Sequence, residues 1–95
     1  MSTIERRSAA RANQRAAAFI RFQMQGDHEA MHYLLVDAAE TERARLEFVT
    51  ALASIAGSLA TTALGREPAL AYLQSVAESS AALSGAEDID RYFDQ

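Results

Sequence analysis

Two glycines thirty-nine residues apart, Gly26 and Gly65, leave this chain few ways to fold. When the sequence is shifted by that distance, Gly26-Asp-His-Glu-Ala30-Met31-His-Tyr33-Leu34 falls on Gly65-Arg-Glu-Pro-Ala69-Leu70-Ala-Tyr72-Leu73. Ala12 then meets Ala51, Ala17 meets Ala56, Ile20 meets Leu59 and Ala38 meets Ala77. Each half reads as an Ala-rich helix, a glycine turn, and a second helix opening with Ala-(Met/Leu)-x-Tyr-Leu. Such a unit is too short to bury its own apolar face, so the repeat implies two αα-hairpins packed together.

Helix signals recur along the whole length. Ser2-x-x-Glu5 is a capping box that starts the first helix at Thr3. Ala9, Ala12, Ala16, Phe19 and Ile20 form its apolar stripe. Gly26 stops this helix, and Asp27 caps a second one whose buried residues are expected to be Met31, Leu34, Leu35 and Ala38. The polar stretch Glu40-Thr41-Glu42-Arg43 reads as a turn or kink, with one long bent helix as the alternative because neither Gly nor Pro stands there. The third helix has a broad apolar face of Phe48, Val49, Leu52, Ile55, Ala56, Leu59, Ala60 and Ala63. Its small residues Ala53, Ala56, Gly57 and Ala60 would let another helix approach closely. Gly65 ends it, and Pro68 suits the first position of a fourth helix carrying Leu70, Leu73, Val76, Ala77 and Leu83. Ser84-Gly85 closes that helix, and a last turn offers Ile89, Tyr92 and Phe93. Period-2 alternation is absent. The expectation is a single all-α domain over 1–95, with hairpins at about 3–40 and 42–84 and a short C-terminal helix at 86–94.

Composition narrows the function classes. A chain of 95 residues makes one small domain with a small core, which oligomerisation would help. With no Cys, there is neither a disulfide framework nor a thiolate metal site. No apolar run approaches the roughly 20 residues that span a bilayer, and Ser2-Thr-Ile-Glu-Arg-Arg is not followed by an apolar leader segment. A cytoplasmic protein without membrane contact is the expectation. All nine basic residues are Arg, and Ala fills 21 positions, a GC-rich codon usage that suggests a high-GC bacterium or phage as the source. Charge is uneven: residues 1–26 carry +4 and residues 27–95 carry −8.

The Gly-Asp turn after an Ala-rich helix, followed by Ala30 and its repeat equivalent Ala69, resembles the hairpin turn of tetratricopeptide-type repeats over about 30 residues of each half. The period of 39 differs from the 34 of that family. The chain as a whole resembles the small Ala/Arg-rich helical proteins of actinobacterial and actinophage genomes.

His28-Glu29-Ala30-Met31-His32 matches H-E-x-x-H and resembles the zincin metallopeptidase signature. That resemblance implies His28 and His32 as zinc ligands and Glu29 as general base, with a third ligand from Asp37, Glu40 or Glu47. Gly26 and Asp27 place His28 in the first helical turn, and no strand signal supplies an edge to hold an extended substrate. Two solvent-facing histidines at a capped helix start account for the same residues without metal or cofactor. Arg7, Arg11 and Arg15 stand at i, i+4 and i+8 on the first helix, where like charges repel and call for an acidic partner. Nucleic-acid phosphate is one candidate; Asp37, Glu40, Glu42 or Glu47 of the same fold or a partner subunit are the others. The third feature is apolar surplus. Four short helices leave part of Phe48, Leu52, Ile55, Leu59, Phe19, Phe22, Tyr33, Tyr72, Tyr92 and Phe93 uncovered, with Phe48, Leu52, Ile55, Leu59, Tyr92 and Phe93 as the expected interface. The sequence therefore reads as a small non-enzymatic protein–protein interaction module, homodimeric, of the kind a regulator or adaptor uses. The alternatives are a zinc-dependent hydrolase at His28, Glu29 and His32, and a nucleic-acid-binding regulator using the Arg face.

Overall fold

The structure, a computed structural model, describes residues 2–84. It is all-α, as the repeat requires, and no strand occurs among the described residues. The helices are α1 (Thr3–Gln25), α2 (His28–Ala38), α3 (Glu42–Leu64) and α4 (Arg66–Ser84). Gly85 and the expected C-terminal helix, with Ile89, Tyr92 and Phe93, lie outside the described residues.

The caps set the boundaries. The Ser2 hydroxyl accepts from the Glu5 N–H at 3.1 Å, and the Glu5 carboxylate accepts from the Ser2 N–H, completing the capping box. Gly26 ends α1 at φ 71°, the left-handed region where a side chain is strained. The next residue, Asp27, accepts from the Ala30 N–H and starts α2. Gly65 repeats the device at φ 87°, with its N–H donating to the Thr61 carbonyl.

The turn expected at 40–43 is present, and one detail differs from the sequence expectation. α2 and α3 are separate helices: Ala39 leaves helical geometry at φ −94°, ψ 9°, and the Thr41 hydroxyl caps α3 by accepting from the Ala44 N–H. That conformation is open to ordinary residues, so the break needed no glycine. Pro68 is the third residue of α4 and not the first. The first turn has no N–H partners within the helix, so its missing N–H costs nothing there either.

Among the described residues, those up to Leu59 form one compact unit and those from Ala60 a second, so the division falls inside α3. In the first unit, α1 and α2 form a hairpin. The core is Ala12, Ala16, Ala38, Phe48 and Ala51, with Phe19, Leu34, Leu52 and Ile55 packed against it. The Phe19 and Phe48 rings meet edge to face, 5.6 Å between centroids, the arrangement their quadrupoles favour. Alanine at Ala12, Ala16 and Ala38 lets backbones come close; Phe48 is the one large side chain among the buried residues. Ala12 and Ala51, equivalent positions of the 39-residue repeat, share this core. In the second unit, Ala69 is buried, and Leu70, Tyr72, Leu73, Val76 and Leu83 of α4 are exposed.

Candidate interaction surface

The first five residues of α2 include His28, Glu29 and His32, all exposed. The Asp27 cap fixes their position, and the His32 ring lies 6.0 Å from that of Tyr33. No group of three or more His, Asp or Glu side chains converges in a metal-holding arrangement among the described residues. Two of the three acids named as a third ligand are engaged elsewhere. Asp37 accepts from Arg15 at 2.8 Å, and Glu47 joins Ser8 and Arg43. Glu40 is exposed just beyond the far end of α2.

The Arg stripe is divided by the fold. Arg15 is satisfied within the hairpin by Asp37, tying α1 to α2. Arg7 and Arg11 are exposed. A largely exposed ion pair of this kind contributes at most about 1 kcal/mol.

Glu47 is the hub of the polar contacts in this unit. The Ser8 hydroxyl donates to one carboxylate oxygen and the Arg43 Nε–H to the other at 2.8 Å. Donation by Ser8, then by Arg43, holds the Glu47 carboxyl below its ordinary range. Ser8 and Glu47 are repeat equivalents, a contact that the 39-residue shift contains but hydropathy alone does not reveal. A carboxylate with a depressed pKa stabilises the fold above its unfolded pKa and loses that contribution as pH falls through the folded one. Ser8→Ala is therefore expected to lower stability at neutral pH and to match the parent once Glu47 is protonated. Urea denaturation across acid pH measures this, and a gap that stays constant with pH would contradict it.

Beside Glu47, a groove of about 330 Å³ runs between α1 and α3, lined by residues that include Ala9, Ala12, Asn13, Leu46, Thr50 and Ala51. It belongs to a larger pattern of uncovered apolar surface. Of the expected interface residues, Phe48 is in the core, Leu52 and Ile55 are half-buried against it, and Leu59 is exposed; Tyr92 and Phe93 lie outside the described residues. Phe19 and Phe22 are half-buried, whereas Tyr33 and Tyr72 are exposed. Leu35 is also exposed, against expectation: it follows Leu34 by 100° around α2, and only Leu34 turns to the core. Val36, Leu46, Val49, Leu70, Leu73 and Val76 are open as well. Sequence reasoning missed Leu46, which lies on the side of α3 away from Phe48.

The expectation that no segment could span a bilayer is corrected. α3 is 23 residues long and apolar enough, by length and composition, to cross a membrane. Its run from Leu46 to Ala63 carries Ser and Thr but a single charge, Glu47, so it passes where a count of unbroken apolar residues fails. Comparison with protein-family models, with curated proteins and with solved structures gave no match.

Proposed function

We propose that this chain is a small non-enzymatic, cytoplasmic interaction module that works by burying its uncovered helical faces against protein. The observation that carries this reading is the exposure of large apolar residues on α2, α3 and α4: Tyr33, Val36, Leu46, Val49, Leu70 and Leu73. Large apolar side chains left open on a helix face suit contact with another macromolecule. Helical faces with regularly spaced Leu, Val and Tyr suit recognition of a helix or a helical groove. Homo-oligomerisation is part of the same reading, since a chain this short gains the most from sharing surface.

The test is affinity purification of the full chain from its native host, with two variants beside it. The unaltered chain is expected to retain a protein partner in stoichiometric amount, and Leu73→Glu to lose it. Glu29→Gln is expected to retain it, because the partner is held by apolar contact and not turned over. Absence of any stoichiometric protein, or loss of biological activity in Glu29→Gln together with tightly bound zinc, would overturn the proposal in favour of a hydrolase at His28, Glu29 and His32.

A further inference from the structure

We infer that the outer face of α1 docks on the phosphate backbone of duplex DNA through Arg7, Arg11 and Arg21, without reading base sequence. This face is separate from the apolar surfaces of α2, α3 and α4, and the inference does not rest on the interaction-module reading. Its placement follows from helical geometry. At about 100° per residue, Arg7 stands about 180° round α1 from Ala16, and Arg11 and Arg21 each about 140° from it. Ala16 is fully buried, and the three arginines are exposed. Arg7, Arg11, Gln14, Ala18, Arg21 and Gln25 are spaced 4, 3, 4, 3 and 4, a row along one side of the helix. From Arg7 to Arg21 it runs about 21 Å.

The charge of this row is uncompensated. Among the described residues, no carboxylate pairs with any of the three arginines. None has an acidic residue three or four positions away on the helix. Arg7 and Arg11 instead neighbour each other at that spacing, where like charges repel. Arg21 lies 5.4 Å from the centre of the Phe22 ring, an attraction that uses none of its N–H donors. The single carboxylate of α1, Glu5, is held in the capping box, about 200° round the helix from Arg7. The acid excess of the chain lies elsewhere: residues 1–59 carry seven Arg and seven acids, and the net −4 arises wholly from residue 60 onward. Two of those seven acids, Asp37 and Glu47, are already paired with Arg15 and Arg43.

What the face lacks selects its occupant. Its uncharged positions from Arg7 to Gln25 are Ala10, Gln14, Ala17, Ala18 and Gln25; the exposed Ile4 and Met24 lie beyond its end and to its side. No large apolar anchor of the kind that carries protein–protein affinity stands on the row. An exposed Arg–carboxylate pair contributes little by itself, so an acidic helix is the weaker occupant. Duplex DNA carries one charge per about 1.7 Å and releases condensed counterions when arginines neutralise it, which gives affinity to a cationic row without anchors. Neither phenylalanine of α1 is exposed, so the bases of a single strand find no ring to stack on. The contact is weak, with a dissociation constant on the order of 10⁻⁴ to 10⁻⁶ M at physiological salt, and does not persist through purification.

Fluorescence anisotropy of a labelled duplex oligonucleotide, titrated with the full chain, tests this. Binding is expected at about 50 mM salt and is expected to weaken about 40-fold by about 200 mM, the dependence for three neutralised phosphates. Arg7→Gln together with Arg11→Gln, with helicity retained by circular dichroism, is expected to lower the affinity at about 50 mM salt at least about 10-fold and to leave only an about 3-fold salt effect. Gln14→Arg adds a fourth charge to the row and is expected to tighten binding and steepen its salt dependence. No binding of the duplex at about 50 mM salt, or a double variant that binds as the parent chain does, would overturn the inference. Binding of poly-L-glutamate as tight as that of the duplex would overturn it in favour of an acidic protein segment. Tighter binding of poly-uridylate than of the duplex would overturn it in favour of single-stranded RNA.

Discussion

Phe48→Ala is expected to cost about 3–5 kcal/mol of unfolding free energy. Phe48 is 4% exposed and is the one large side chain among the five buried residues of the first unit. Its loss removes apolar contact, leaves a cavity, and strands the Phe19 ring that meets it edge to face. Small domains hold only about 5–15 kcal/mol in total, so the variant should unfold near ambient temperature. Phe48→Leu keeps part of the volume and should cost less. Urea denaturation followed by circular dichroism, at one fixed protein concentration, measures both. A cost below about 1 kcal/mol for the alanine variant would mean that Phe48 is not the centre of the core.

Ala16→Leu is expected to destabilise by about 1–3 kcal/mol through overpacking. Ala16 is fully buried in the core it shares with Ala12 and Ala38, where helix approach is set by methyl groups. A leucine there must push α1 and α2 apart, loosening the Arg15–Asp37 pair next to it. Ala17→Leu is the control: Ala17 is exposed on the same helix, and its substitution should stay within about 0.5 kcal/mol. Equal effects at both positions would contradict the placement of the α1 stripe.

The Ala16 and Ala17 contrast shows what the sequence displayed well. Ala12 and Ala16 stood on the expected stripe, and Ser2, Glu5, Gly26, Asp27 and Gly65 marked helix ends by local chemistry that packing did not alter. The break between α2 and α3 was ambiguous because Ala39 takes an ordinary conformation, so no special residue advertises it. On α3 the pattern blurred for a different reason. Apolar residues occupy two opposed faces, and periodicity alone does not say that Phe48 turns inward while Leu46 and Val49 turn outward. The H-E-x-x-H spacing was plain in the sequence, but its surroundings were not: the side chains that would complete a site depend on how α1 and α3 engage Asp37 and Glu47. The Arg15–Asp37 pair was one of several acidic partners that the stripe called for, and only the hairpin register selects it.

On the interaction-module proposal, protein covers the apolar surface this chain leaves open. The mass of the particle that carries the chain in the soluble extract of its host tests this most directly, measured by light scattering on a mildly purified sample without detergent. A particle of at least twice 10.3 kDa, built of protein alone, is the predicted result. A monodisperse 10.3 kDa monomer, or a particle that leaves the membrane fraction only with detergent, would contradict it.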